Sequence, residues 1–135
     1  MRSLALILAF CPSFVWANTL FFSAINRFPV AQVDAATFEV IARGGRVGAR
    51  DYWCAAGDYG LSQGIRSNTR VYLAVAEGPS VTSPGRKAVR FTFDPQAAGI
   101  TPVSPQLSLS VDVVGDNMTL VAAQQFCGNT GILGF

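Results

Sequence analysis

Histidine is absent from the 135 residues of this chain. The arrangements in which a histidine activates a serine or cysteine nucleophile are therefore excluded, and so is every histidine-based metal site. The chain also lacks a Walker or dinucleotide-binding motif, because the cluster Gly44-Gly45-Arg46-Val47-Gly48 has neither the required lysine nor the strand context. We interpret this cluster as a flexible connection between a strand and a helix. The sequence predicts no cofactor and no metal site.

Cysteine is also rare, and the first of the three cysteines lies in a segment that we expect to be removed. Residues 1–17 are typical of a secretory signal peptide, with Arg2 before an apolar run and Ala17 at the cleavage position. Lipid attachment to Cys11 is disfavoured, because Phe10 stands where a lipoprotein site needs a small residue. Cleavage after Ala17 therefore predicts a periplasmic or secreted protein.

Two cysteines, Cys54 and Cys127, remain after this cleavage. An even number of cysteines in an exported chain predicts one disulfide, and no C-x-x-C redox pair is present. By its length the mature chain is a single domain, which we place at residues 18–127. Residues 128–135 hold three glycines and no periodic pattern, and we predict that they form a flexible tail.

Charged residues make up only 13% of the chain, and ten basic and eight acidic residues give a formal net charge of +2. This balance does not indicate a nucleic-acid partner. Hydrophobic residues make up 50% of the chain, which is typical of a folded domain. Beyond the N-terminal segment, no apolar stretch reaches the roughly 18 residues that cross a bilayer. We expect no nucleic-acid partner and no transmembrane segment after cleavage.

Alternation of apolar and polar residues dominates the mature chain and predicts half-buried strands. The last two predicted strands would form a hairpin through Gly115-Asp116-Asn117. The predicted strands are residues 28–33, 37–43, 70–77, 87–94, 107–113 and 118–126.

One segment, residues 49–59, has helical rather than alternating spacing, although Gly57 weakens a helix by about 1 kcal/mol relative to alanine. Residues 96–105 are predicted to form a loop. The predicted fold class is α+β, with one short helix packed on an antiparallel sheet of five to six strands. The disulfide Cys54–Cys127 would join the helix to the end of the sheet.

Aromatic residues of the helical segment allow two interpretations. Tyr52 and Tyr59 could line a binding surface with Tyr72 and Arg70 from the neighbouring strand, suited to a sugar or an aromatic peptide. The favoured interpretation is that these side chains belong to the core and to an amphipathic surface. Trp53 is assigned to the core, since tryptophan buries a large area.

Charged residues also receive two interpretations. Asp51 and Asp58 lie seven apart and would share one helix face, which could suit a carboxylate-dependent hydrolase. A solvated face, or a cap at the helix start, is the favoured reading of this pair. The basic residues Arg86, Lys87 and Arg90 are interpreted as a solvated edge that opposes sheet-to-sheet aggregation. No catalytic residues are predicted.

Three stretches resemble sequences of small exported proteins of proteobacteria. They are the block from Asp51 to Tyr59 (DYWCAAGDY), the stretch from Gly78 to Val89, and the ending from Gly115 to Cys127. The resemblance covers nearly all of residues 26–127 and implies export and the two-cysteine frame. It implies no activity and no site residues.

The function expected from the sequence is that of an exported, disulfide-stapled accessory or binding protein of the cell envelope, acting without catalysis. Its partner would be an envelope protein or a glycan. Two alternatives are left open: an inhibitor of a hydrolase acting through the loop at residues 78–85, and a small hydrolase that uses Asp51 or Asp58.

Overall fold

The computed structural model describes residues 21–128. The predicted signal peptide, Cys11 and nearly all of the predicted tail lie outside these residues. The strands and helices are β1 (Phe22–Ser23), β2 (Pro29–Gln32), β3 (Thr37–Ile41), α1 (Ala49–Ser62), β4 (Arg70–Pro79), β5 (Lys87–Thr92), β6 (Asn117–Thr119) and α2 (Leu120–Gln125).

Within residues 21–128 the strands form one six-stranded sheet in the order β1-β2-β3-β5-β4-β6, and every neighbouring pair is antiparallel. The predicted α+β class and antiparallel sheet are therefore confirmed. Four of the six predicted strands appear as β2, β3, β4 and β5, with boundaries that differ by a few residues. The predicted helix is also present, and it continues to Ser62.

Helix α1 lies against one face of the sheet, which we call the helix face. Alternate residues of the strands, such as Val89 and Phe91 in β5, are fully buried there. Trp53 of α1 is also fully buried, and its ring centroid lies 5.0 Å from that of Phe91. The indole N–H donates a hydrogen bond to the carbonyl of Ser110 at 2.8 Å, so the predicted core position of Trp53 is confirmed.

The predicted disulfide Cys54–Cys127 is present, with an S–S distance of 1.99 Å and a Cα–Cα distance of 5.0 Å. It joins α1 to the turn that follows α2, rather than to the end of a strand. Arg50 makes a second link across the same junction, because its guanidinium lies 5.7 Å from the centroid of the Phe126 ring. The disulfide and the Arg50–Phe126 contact therefore join α1 to the residues that follow α2.

The predicted strand at residues 107–113 is wrong, because this segment is irregular. Val111 is buried in the core and Leu109 is partly buried against it, on either side of Ser110, whose carbonyl accepts the hydrogen bond from Trp53. Leu107 is fully exposed. Only the part of the alternation from Leu109 to Val113 follows burial, and it does so without strand pairing.

The predicted strand at residues 118–126 is also wrong in most of its length, and so is the predicted hairpin. Only β6 is extended, and helix α2 follows it, so the described residues contain two helices rather than one. Thr119 ends the strand and caps the helix, since its hydroxyl accepts a hydrogen bond from the Ala122 N–H at 3.3 Å. Leu120 and Ala123, three residues apart, are both fully buried.

Gly57 allows α2 to approach α1 closely. A Cβ atom at Gly57 would lie 2.7 Å from the backbone nitrogen of Gln124 and 2.8 Å from the Cβ of Ala123. Because backbone atoms form part of this contact, a side-chain rotation cannot relieve it. The glycine that weakens the helix by its intrinsic propensity is therefore required by helix–helix packing.

Replacing Gly57 by alanine is expected to lower the free energy of unfolding by about 1–2 kcal/mol. The overpacking at α2 outweighs the gain of about 1 kcal/mol in helix propensity. Urea denaturation measures the difference. Gly44→Ala is the matched control, since a Cβ there would meet nothing within 4 Å. A stabilised Gly57→Ala protein would contradict the close approach.

Candidate functional site

The two helix tyrosines of the predicted binding surface lie between α1 and the sheet. Tyr52 is only 1% exposed, and its hydroxyl donates a hydrogen bond to Glu77 at 2.7 Å. Burial, together with the Glu77 carboxylate, raises the pKa of the Tyr52 phenol. Tyr59 is half-buried against Phe38, at 4.7 Å between ring centroids, and donates a hydrogen bond to Gln32 at 3.0 Å. Burial also raises the pKa of Tyr59.

Tyr72 lies on the opposite face of the sheet, which we call the outer face. It stands between Val71 and Leu73, which both point into the core beneath α1. The predicted surface of Tyr52, Tyr59, Tyr72 and Arg70 is therefore not formed as one surface. Arg70 is exposed, and its guanidinium donates a hydrogen bond to the side chain of Asn117 at 2.9 Å.

The carboxylates of the two aspartates of α1 accept hydrogen bonds from backbone N–H groups. Asp51 accepts a hydrogen bond from the N–H of Gly48 at 2.9 Å and so caps the start of the helix. Asp58 accepts one from the N–H of Ile25 at 2.9 Å and another from the Gln124 side chain at 3.3 Å. These bonds tie α1 to its neighbours and give both aspartates a structural role.

The three basic residues at residues 86–90 do not form one cluster. Lys87 lies 3.9 Å from the Glu77 carboxylate, and with Arg86 it lines a small cleft of about 470 Å³. Arg90 points to the outer face, since it is directly opposite Glu39 of β3 and three residues along the strand from Lys87. Arg86 and Lys87 are exposed, but β5 lies between β3 and β4, so the prediction of a sheet edge here is wrong, and Arg90 belongs to a different site.

A groove of about 870 Å³ crosses the outer face above Arg90. One wall is the turn between β2 and β3, and the other is the loop that follows β5, which includes the predicted loop at residues 96–105. Most of the lining residues are small or apolar, and the polar ones are Asp34, Thr37, Arg90 and Thr101. The residues lining the groove are Asp34, Ala35, Ala36, Thr37, Ala74, Val75, Arg90, Ala97, Ala98, Gly99, Ile100, Thr101, Val103 and Val114.

Arg90 is half-buried in the floor of this groove and forms no ion pair with the nearby carboxylates, Asp34 of the groove wall and Glu39 directly opposite on β3. Its guanidinium makes no ion pair within 4.0 Å and no hydrogen bond to any residue in the range 21–128. The Nε atom is enclosed and has no partner there. The Nη atoms likewise make no hydrogen bond within residues 21–128 and retain their donors for a ligand, whereas the enclosed Nε is not open to one.

Asp34 and Thr37 lie in the same groove. The Asp34 carboxylate accepts hydrogen bonds from the N–H groups of Ala36 and Thr37, both at 2.8 Å, which closes the β2–β3 turn. These bonds, with a smaller contribution from the charge of Arg90, lower the pKa of Asp34. The Thr37 hydroxyl is buried and makes no hydrogen bond of normal length within residues 21–128, although its proximity helps to lower the pKa of Asp34.

Glu39 fixes the loop between β4 and β5 over the outer face. Its side chain is 1% exposed and accepts hydrogen bonds from Ser80 Oγ at 2.5 Å, Thr82 N at 3.0 Å, Val81 N at 3.2 Å and Thr82 Oγ1. Burial acts to raise the pKa of Glu39, but the hydrogen bonds from Ser80 and Thr82 outweigh burial and lower it. These hydrogen bonds anchor the loop to the outer face of the sheet.

Sequence reasoning missed Asp34, Thr37 and Glu39 as members of one surface. The available signal for Glu39 was an acidic residue within a strand whose neighbours are apolar, Phe38 and Val40. No comparable signal marks Thr37, because threonine is common in strands.

Comparisons of the chain with protein-family models, with curated proteins and with solved structures found no match. Within residues 21–128, no group of three metal-binding side chains comes together. The helices in the same range are too short or too polar to cross a bilayer.

Proposed function

We propose that this chain is an exported, disulfide-stapled binding protein of the cell envelope that acts without catalysis. The observation that carries the proposal is the groove on the outer face, which holds a half-buried arginine without a protein partner. The surrounding sheet is stiffened by the Cys54–Cys127 disulfide and by the Glu39 hydrogen bonds. A preformed groove with few polar groups is typical of ligand-binding sites.

Export is supported by the disulfide, since such bonds persist in oxidising compartments. The signal-like segment at residues 1–17 and the resemblance to small exported proteins favour the same compartment. In this proposal the mature protein begins at Asn18 and acts in the periplasm or outside the cell.

Native mass spectrometry tests the proposal on protein recovered without reductant from its own cell envelope. The expected mass begins at Asn18, lacks the two thiol hydrogens, and is accompanied by a second species with a bound ligand. The same preparation of Arg90→Gln should lack the ligand-bound species, whereas the matched control Arg86→Gln should retain it.

Three outcomes would contradict parts of this proposal. A mass that retains residues 1–17, or that carries lipid on Cys11, would show that export and maturation are assigned wrongly. A ligand retained by Arg90→Gln would place the binding site outside the groove. A wholly ligand-free protein would contradict a stably occupied groove.

The alternative of a hydrolase inhibitor has one observation in its favour. Val81 is 57% exposed on the loop between β4 and β5, and the hydrogen bonds to Glu39 hold this loop rigid. A rigid loop with an exposed apolar residue is a suitable shape for entering a protease cleft. Inhibition of a panel of envelope hydrolases that is lost in Val81→Asp would favour this alternative, and no inhibition would reject it.

A further inference from the structure

The chemistry around Arg90 indicates which class of ligand the groove can hold, an inference that rests on the proposed function. We propose that the groove binds a short peptide through its C-terminal carboxylate, with Arg90 as the partner of that carboxylate. Arg90 lies in the floor, and the turn at residues 34–37 and the loop at residues 97–101 form the two sides.

A carboxylate on the ligand would supply the ion pair and the hydrogen-bond acceptors that Arg90 does not have within residues 21–128. A half-buried guanidinium with no ion pair is partly deprived of water, and the nearby carboxylates of Asp34 and Glu39 direct their hydrogen bonds to other groups. The planar fork of N–H donors matches the two oxygens of a carboxylate, which arginine commonly binds through two parallel hydrogen bonds. The charge of Arg90 therefore favours an anionic ligand, and its geometry favours a planar one.

Asp34 limits the charge that this ligand carries. Its carboxylate lies in the same groove, and its hydrogen bonds go to the N–H groups of Ala36 and Thr37 rather than to Arg90. The negative charge of Asp34 therefore lies in the groove beside the negative charge of the bound ligand. A singly charged carboxylate meets less repulsion from Asp34 than a doubly charged phosphate does.

The walls of the groove favour a peptide over a glycan. Alanine and glycine contribute five of the wall positions, at Ala35, Ala36, Ala97, Ala98 and Gly99. Such walls leave space for small apolar side chains but supply few polar groups. A sugar with several hydroxyl groups needs more hydrogen-bonding side chains, and no aromatic ring lines the described groove on which a sugar could stack.

The test uses N-acetyl-trialanine with a free C-terminal carboxylate, and the same peptide with a C-terminal amide. Both are titrated into the mature, disulfide-bonded protein by calorimetry and by ¹H–¹⁵N NMR. The free acid is expected to shift the amide signals of residues 34–37 and 97–101. It should bind at least about tenfold more tightly than the amide, since a hydrogen-bonded charge pair is lost in the latter.

Two substitutions in the groove should act in opposite directions. Arg90→Gln is expected to weaken binding of the free acid at least about tenfold, whereas Arg86→Gln should leave it unchanged. Asp34→Asn is expected to strengthen binding about threefold, because it removes a like charge. The asparagine oxygen can still accept the turn hydrogen bonds of Ala36 and Thr37, so the turn is retained. Circular dichroism and thermal unfolding check that each variant is folded.

Each contrary outcome has a distinct meaning. Equal binding of acid and amide in the groove would reject the carboxylate and leave the proposed binding function standing. Tighter binding of inorganic phosphate than of the free acid would replace the carboxylate by a phosphate-bearing ligand. No shift at residues 34–37 or 97–101 with either peptide would overturn this inference. The envelope-derived native mass spectrum separately decides whether the groove holds any ligand.

Discussion

Replacing Cys54 and Cys127 together by alanine is expected to lower the free energy of unfolding by about 4 kcal/mol. The disulfide closes a sequence separation of 73 residues, so its loss greatly increases the conformational freedom of the unfolded chain. Helix α2 has only six residues and depends on its contact with α1. Calorimetry should show a fall in melting temperature of about 20 °C for a domain of this size.

Reduction of the wild-type protein is the control for this prediction. Dithiothreitol should lower the wild-type melting temperature by a similar amount and leave the double variant unchanged. Hydrogen exchange should then be accelerated first at the amides of α2. An unchanged melting temperature in the double variant would show that the packing at Gly57 and the Arg50–Phe126 contact hold α2 without the disulfide.

The sequence predicted the parts of the fold whose local pattern and tertiary environment agree. In β5, Val89 and Phe91 face α1 while Arg90 faces outward, as their alternation predicts. The prediction of residues 107–113 failed because alternation records which side chains are buried and does not record a pairing partner. An irregular segment held by the Trp53–Ser110 hydrogen bond produces the same pattern.

The failure at residues 118–126 has a different cause. Thr119 is compatible with both a strand and a helix cap, and the choice depends on tertiary contacts. Here the approach of α2 to Gly57 and the disulfide to Cys127 stabilise the helix. The prediction of a cross-link to Cys54 was confirmed, although the element before Cys127 was assigned wrongly.

The candidate site depends on contacts between strands that are distant in sequence. Arg90 was grouped with Arg86 and Lys87 because they are neighbours in the chain. Its groove neighbours come instead from the β2–β3 turn and from β4, which meet only because β5 lies between β3 and β4. The spacing of residues in the sequence does not predict that strand order.

Replacing Glu39 by glutamine is expected to lower the free energy of unfolding at pH 7 by about 2–3 kcal/mol. The carboxylate accepts hydrogen bonds from the side chains of Ser80 and Thr82 and from the backbone of Val81 and Thr82. Glutamine removes the charge and turns an N–H₂ group toward these donors, so some of them lose their acceptor. Urea denaturation measures the loss, and hydrogen exchange at Val81 and Thr82 should become faster.

The same carboxylate makes the stability depend on pH. The folded-state pKa of Glu39 lies below its ordinary value of 4.5, so the native state binds fewer protons than the unfolded state in this range. The contribution of Glu39 is therefore complete above pH 4.5 and is lost as the pH falls through the lowered pKa. Glu39→Gln should show a flatter decline of stability in this acidic range than the wild type does.

Asp112→Asn is the matched control for Glu39→Gln, because it makes the same acid-to-amide change at an exposed residue. Asp112 has no hydrogen bond within residues 21–128, so the control should change the stability by less than about 0.5 kcal/mol. The two variants carry the same change in net charge, and this separates the local bonds of Glu39 from general charge effects. Parallel stability curves for wild type and Glu39→Gln between pH 7 and 3 would contradict the role assigned to Glu39.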